Sequence, residues 1–252
     1  MSFDMARQAC ADGITTVVCT PHILPTVYEN DGPDIKASVA LLQQALTTEG
    51  IPLQLLSGAD VHVVPDRLSG LGDGRIITLA GSRYLLLEPP HHVMPPKLDD
   101  SIFRLQSAGY VAILTHPERL SWIEAQFPII RRMVHKGVWM QLTAGSLTGR
   151  FGKGPRYWAE RMLDEGLCHV VATDAHNVST RPPHLASARA MVEQRLGAAE
   201  ASNIFQVRPR GVIDDVSPAQ LPPLPGRELG HQSVTRGWKG LAQRIRMRIG
   251  AD

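Results

Sequence analysis

Apolar and polar positions along this chain fall in alternating blocks that predict strand, helix, strand and helix through most of its length. Residues 4–12 read as the end of a helix stopped by Gly13, and the β-branched run 14–18 reads as a buried strand. A helix follows from Asp34, where Ile35, Val39, Leu42 and Leu46 share one face, and Gly50 ends it. Further strands are predicted over 52–56, 84–87, 110–114, 138–142 and 169–172, with helices near 99–108, 121–135, 155–165 and 184–196. Continuously apolar strands separated by helices imply a parallel sheet covered by helices, either doubly wound or closed into a barrel, and the pattern alone does not separate the two. From Asp214 the texture changes to Val216–Ser217–Pro218 and Leu221–Pro222–Pro223–Leu224–Pro225–Gly226, too proline-rich for helix or central strand. The expected division is therefore a domain over 1–213, a linker over 214–226 and a tail over 227–252.

Composition narrows the class. The chain has 252 residues, 43% hydrophobic and 20% charged, which argues against disorder, collagen-like repeats and a disulfide scaffold and suffices for one α/β core. A net charge of +2 gives no reason to expect a nucleic-acid partner, and no apolar run approaches the roughly 18 residues of a membrane span. Three cysteines, Cys10, Cys19 and Cys168, with no signal peptide ahead of them, point to a reducing cytoplasm without disulfides. The charge is unevenly spread, with residues 1–226 at −2 and residues 227–252 at +4.

Metal-capable side chains stand just past the carboxyl ends of successive predicted strands: His22, Asp60, Glu88, His116, then Asp174 and His176. Parallel α/β folds build their sites at that edge, because the loops leaving the strands converge there. Any one of these residues could equally cap a helix or pin a loop. Their joint placement makes the case for a mixed oxygen and nitrogen site suited to manganese, iron or zinc, with room for two or more ions to share a carboxylate. His62, His91, His92, His135, His169, His184 and His231 lack the full pattern and are assigned mostly to surface or core, with His91 and His92 near enough to Glu88 to be neighbours of the site. Other chemistries find no support. No cysteine has arginine six positions on, since Cys10, Cys19 and Cys168 lead to Thr16, Pro25 and Asp174. There is no phosphate loop, residues 145–149 have the wrong spacing for a nucleophile elbow, and Gly70, Gly72 and Gly74 lack the setting of a dinucleotide fingerprint.

Taken together, Thr20–Pro21–His22, Gly58–Ala59–Asp60, Leu87–Glu88, Thr115–His116–Pro117–Glu118–Arg119 and Thr173–Asp174–Ala175–His176–Asn177 resemble the PHP-superfamily bacterial protein-tyrosine phosphatases of the CpsB/CapC type. The likeness runs from about Met5 to Asp214, and the His-Pro-Glu-Arg and Asp-Ala-His-Asn motifs are its most specific part. It implies a distorted (β/α)7 barrel and a manganese-dependent site of two or three ions that hydrolyses phosphotyrosine. The implied partner is a membrane-associated tyrosine kinase governing capsule or exopolysaccharide export. By the same resemblance His22, Glu88, His116, Asp174 and His176 are metal ligands, with Glu88 the bridge. Asp60 is also a ligand, where the family usually has glutamate. Arg119 and Arg181 correspond to the arginines that hold phosphate oxygens. The family opens with a strand carrying His-x-His, whereas this sequence begins inside the following helix. Either the start codon is placed too far downstream, the favoured reading, or the strand is lost; the sequence as written would leave a gap in the barrel wall and at least one ion weakly held.

The implied reaction is in-line attack by metal-activated hydroxide with no covalent phosphoenzyme. Two alternatives stand beside it: a small-molecule phosphoesterase resembling histidinol phosphatase, and a binding or regulatory module impaired in catalysis by the absent strand. In the tail, Trp238, Leu241, Ile245 and Ile249 recur at helical spacing among Arg236, Lys239, Arg244, Arg246 and Arg248. That spacing permits weak contact with an anionic membrane surface, although a solvated or packed helix is the favoured reading.

Overall fold

A computed structural model describes residues 2–63 and 67–226. Its contacts divide the chain into two units, Met1–Pro222 and Pro223–Asp252. The second is described only over 223–226, where there is neither helix nor strand. The basic tail and its amphipathic spacing lie outside the described residues.

Helix α1 (Ser2–Ala11) ends where Gly13 takes φ +87° and Ile14 N–H turns back to the Ala9 carbonyl. Strand β1 (Thr16–Cys19) follows, and after Thr20–Pro21 a two-residue strand β2 (His22–Ile23) resumes the direction. Helix α2 (Gly32–Thr48) begins two residues before the expected Asp34 because Asp31 caps it, its carboxylate accepting the Asp34 N–H at 2.9 Å with Pro33 in the first turn. Ile35 and Leu46 carry the face of α2 that packs inward. Strands β3 (Gln54–Ser57) and β4 (Asp60–His62) repeat the interrupted pattern of β1 and β2, and a short helix α3 (Arg67–Gly72) precedes β5 (Tyr84–Glu88). The chain continues through α4 (Leu98–Ser107), β6 (Val111–Thr115), α5 (Ile123–His135), β7 (Trp139–Thr143), α6 (Ala144–Leu147), α7 (Lys153–Asp164) and β8 (Val170–Ala172). Helices α8 (Ala186–Leu196), α9 (Ala198–Ser202) and α10 (Arg208–Ile213) complete the body, the last two joined by a π-helical turn at Asn203–Val207.

Among the described residues every strand pairs in parallel. Six strands form one sheet in the order β2-β4-β5-β6-β7-β8, while β1 pairs with β3 in a separate two-stranded ladder. The molecule is thus an α/β fold in which β5 is buried at all five positions and β6 at four of five, which explains their unbroken apolar sequences. Apolar clusters among the described residues include two that bear on the strands. Leu79, Tyr84, Leu86, Ile113, Trp139, Val170 and Val212 pack against one side of the main sheet, and Ala6, Ala9, Leu46, Ile51 and Leu53 join α1 and α2 to the β1–β3 pair.

The breaks between β1 and β2 and between β3 and β4 have a steric cause. Gly58 donates its N–H to the Cys19 carbonyl at 2.9 Å, and a side chain at residue 58 would meet Val18 Cγ1 at 2.8 Å. Backbone approach at that point needs glycine, and it sets the offset that begins β4 at Asp60. The segment expected as linker is attached to the body over 214–222. Arg83 donates to the Asp215 carboxylate at 2.9 Å, and the Tyr84 hydroxyl donates to the Val216 carbonyl at 2.7 Å, so the chain leaving α10 is tied to the start of β5.

Candidate metal centre

The short strands β2 and β4 carry the donors into register with β5. His22 lies opposite Asp60, and His62 lies opposite Glu88. Side chains in a strand alternate faces, so Asp60 and His62 emerge on the same side of β4, one pleat apart. His62 lacks the strand-end pattern in the sequence, and it is β4 that brings it to the site. The Asp-x-His alternation was the signal that could have revealed it.

Glu88 is the focus. Only 4% exposed, it ends β5 with both oxygens directed at imidazoles. Oε2 is 3.0 Å from His22 Nδ1 and 2.8 Å from His62 Nε2, while Oε1 is 3.2 Å from His91 Nε2 and 3.1 Å from His116 Nε2. Burial by itself would raise the Glu88 pKa, but His116, His22, His62 and His91 override it and hold the carboxyl far below the ordinary range. The His22 pKa is raised, first by its contact with Glu88 and against the effect of burial. Asp60, buried beside them, is pushed up to about 8 by desolvation and then by the Glu88 charge.

His116 follows β6 with φ +33°, a conformation rarely taken by a residue with a side chain, and opens the tight turn Pro117–Arg119. That turn distributes the motif. His116 faces Glu88, while Glu118 is buried and accepts the Thr143 N–H at 2.9 Å and the Ser146 hydroxyl at 2.7 Å, which locks the turn to the end of β7. Arg119 extends to Asp174, donating to Oδ2 at 2.6 Å.

Asp174, at φ +49° after β8, is also held by Arg181 through the same oxygen. The Phe151 ring lies 4.4 Å from the Arg119 guanidinium carbon and 5.9 Å from that of Arg181. Asn177 shapes the loop, its side-chain Oδ1 accepting the backbone N–H groups of Ser179, Thr180 and Arg181. A cavity of about 160 Å³ opens beside Phe151, Thr173 and Arg181.

The predicted site residues therefore separate into two neighbouring groups. His22, Glu88 and His116 meet, with Asp60 buried alongside. Asp174, Arg119 and Arg181 form a second cluster, and the Asp174 charge still raises the proton affinity of His22 and Asp60. His176 stands at the rim of the second cluster; its side chain is 43% exposed, and its Nδ1 lies 3.0 Å from the Asp174 carbonyl and 3.8 Å from Asp174 Oδ1. Of the remaining histidines, His91 joins the Glu88 group. His169 is a core residue stacked on Trp139 and accepting the Met140 N–H at 3.0 Å. His135 is exposed at the end of α5.

This donor set fits divalent cations. Two trios, His22–His62–Glu88 and Glu88–His91–His116, each have donor atoms within 4.8 Å of one another. His22 Nδ1, His62 Nε2, Glu88 Oε2, His116 Nδ1 and Asp60 Oδ1 are buried without hydrogen-bond partners. Buried polar atoms are rarely left so, and oxygen and imidazole donors of this kind suit first-row metals.

Residues 1–214 match the family described as "Capsular polysaccharide synthesis, CpsB/CapC". The chain is 34% identical over 197 residues to the tyrosine-protein phosphatase YwqE of Bacillus subtilis (strain 168), covering 78% of each. It is 26% identical over 216 residues to the tyrosine-protein phosphatase CpsB of Streptococcus pneumoniae, covering 84% of this chain and 89% of that protein. Crystal structures of YwqE and CpsB, described as unique metal-dependent tyrosine phosphatases, include a chain that superposes with a TM-score of 0.83 at 31% identity, covering 89% of this chain and 90% of that one.

Proposed function

The chain belongs to the CpsB/CapC family of capsular polysaccharide synthesis, and from that membership we propose that it is a manganese-dependent protein-tyrosine phosphatase. Its substrate would be the phosphotyrosine of a membrane-associated kinase in capsule or exopolysaccharide export, reached from the cytoplasm. No helix among the described residues is long and apolar enough to cross a membrane.

The observation that carries the reading is Glu88, whose two oxygens each face a pair of imidazoles. His22, Asp60, Glu88 and His116, with Asp174 and His176 from the loop after β8, would hold the ions, Glu88 between two of them. Bound divalent ions supply water activated near neutral pH and neutralise phosphate charge. Arg119 and Arg181 would exchange Asp174 for phosphate oxygens, orienting the phosphoryl group and taking up the charge that develops on it. Asp174, released from the guanidinium groups, would then be available to a cation. Phe151 fixes the arginine planes, and the adjoining cavity leaves space for the side chain that bears the phosphate. A phenolate leaving group, with a pKa near 10, needs less protonation than an alkoxide, which favours aryl over alkyl phosphates.

We read the two ladders as the wall of a distorted seven-stranded PHP-type barrel in which the strand between β1 and β8, the one that carries His-x-His in the family, is not among the described residues. In support, β1 pairs only with β3 and β8 only with β7 there, while Asp12 after α1 accepts the Leu185 and Ala186 N–H groups that follow β8. The test is phosphate release from a phosphotyrosine peptide and from histidinol phosphate. Hydrolysis of the peptide that stops with a chelator, returns with manganese and survives thiol alkylation supports the proposal. Preference for histidinol phosphate would favour a small-molecule phosphoesterase instead, and thiol sensitivity without chelator sensitivity would overturn the mechanism.

A further inference from the structure

We infer that His62 and His91 are themselves metal ligands, so that each oxygen of Glu88 is the corner of its own three-donor site. Oε2 would share one ion with His22 and His62, and Oε1 would share another with His91 and His116. The inference rests on the reading of this centre as a cation site, and neither histidine belongs to the ligand set implied by the family motifs.

His62 stands in β4 two residues after Asp60 and directly opposite Glu88, so the pleat delivers it to the side of the sheet that Glu88 occupies. Its Nε2 is 2.8 Å from Oε2, and with His22 Nδ1 at 3.0 Å from the same oxygen it is the nearer of the two. All three atoms are buried, and none has a partner in hydrogen-bond geometry. A structural histidine pair would point N–H groups along the carboxylate lone pairs; here the contact distances are met and the directions are not. Donor atoms gathered within 4.8 Å of one another that meet no hydrogen-bond direction suit a cation placed among them. The rings are also held as a pair, because Tyr28 packs 5.1 Å from His22 and 6.2 Å from His62 between ring centroids.

On the other side, His91 sits three residues beyond Glu88, and its ring lies 4.9 Å from that of His116. The loop that bears it is anchored from the His-Pro-Glu-Arg side. Ser121 donates both its N–H and its hydroxyl to the His91 carbonyl at 3.0 Å, and Trp122 donates to the Pro90 carbonyl at 2.9 Å. Anchoring of this kind holds an imidazole in place before any ion arrives, which lowers the ordering cost of binding. Two imidazoles and one carboxylate oxygen make a three-donor set that leaves positions open for water, the pattern of a catalytic rather than a closed structural site.

The test is metal binding, measured without turnover. Mn2+ is titrated calorimetrically into metal-free protein, and Co2+ is titrated with its visible absorption as a report on ligand number. Unaltered protein, His62→Ala, His91→Ala, His22→Ala and Glu88→Gln are compared, with far-UV circular dichroism and metal-free thermal unfolding verifying that each variant is folded. Weakening of one Mn2+ equivalent by at least about tenfold in His62→Ala and in His91→Ala, with a changed cobalt band in each, is the expected result. Unchanged binding in either single variant overturns the inference. If His22→Ala and Glu88→Gln still weaken binding in that event, the cation site itself stands; if neither does, the underlying reading fails as well.

Discussion

Glu88 and Glu200 are both buried carboxylates, and their surroundings differ in kind. Glu200 is enclosed by donors: Arg208 donates to Oε1 at 2.8 Å and to Oε2 at 3.3 Å, and the Asn203 side chain adds a bond to Oε2 at 2.9 Å. The same guanidinium donates to the His169 carbonyl at 3.3 Å and the Pro222 carbonyl at 3.0 Å, so α9, α10, β8 and the proline-rich segment are tied through one side chain. Around Glu88 there are imidazoles instead, and several of their nitrogens meet no donor or acceptor geometry. A carboxylate that holds structure is saturated with protons from its neighbours, whereas one kept for a cation is surrounded by groups that compete for the same positive charge.

The contrast can be tested from both ends. Truncating Arg208→Ala should strand Glu200 without its countercharge and cost roughly 3 to 5 kcal/mol of stability, read as a lower urea midpoint, while the Glu88 centre keeps its affinity for Mn2+. Glu88→Gln should do the opposite. It should lower the metal-free urea midpoint less than Arg208→Ala does, while reducing turnover of a phosphotyrosine peptide by about a thousandfold, about 4 kcal/mol of lost charge stabilisation. A large fall in metal-free stability with Glu88→Gln would place the two glutamates in one class and remove the distinction.

A smaller effect is expected at Phe151, whose ring backs Arg119 and Arg181. Phe151→Leu should lower kcat/KM by about fivefold, from a cation–π contribution of roughly 1 kcal/mol, with Mn2+ affinity unchanged. The smallest effect lies farther away, where Glu165 joins α5 to α7 by accepting from Arg131 at 2.6 Å and Arg161 at 3.0 Å. Arg131 and then Arg161 lower the Glu165 pKa from its ordinary 4.5, against a partial opposing effect of burial. The folded state thus binds fewer protons than the unfolded one in that window. This contribution is complete above about pH 4.5 and is lost as pH falls through the depressed folded value. Glu165→Gln should flatten the acid limb of the stability profile by under about 1 kcal/mol, less still in high salt, because the pair is largely solvated.

How much of this was readable beforehand follows from which interactions are local. Long apolar strands such as Tyr84–Glu88 and Val111–Thr115 announced themselves, and so did the helices that separate them. The two-residue β2 and three-residue β4 are too short to carry a period, and the break ahead of β4 falls at Gly58, where the backbone approaches Val18 closely. With β4 unseen, His62 had no face, and its place opposite Glu88 was hidden. The arginines show the reverse case. Their spacing in His-Pro-Glu-Arg and Arg181–Pro182–Pro183 was plain, but only the fold reveals that both close on Asp174 over a single aromatic ring. His176 stays at the exposed rim of that cluster, its Nδ1 placed against both the carbonyl and the carboxylate of Asp174. The prolines of 214–222 read as a spacer, and the tether from Arg83 and Tyr84 depends on side chains 132 residues away.

The most direct measurement is an anomalous difference map, collected at the manganese edge, from crystals of the protein loaded with Mn2+. The account predicts one peak on each side of Glu88, the first in contact with Oε2 and His22, the second with Oε1 and His116. Peaks that avoid Glu88, or one ion held only by other residues, would contradict it.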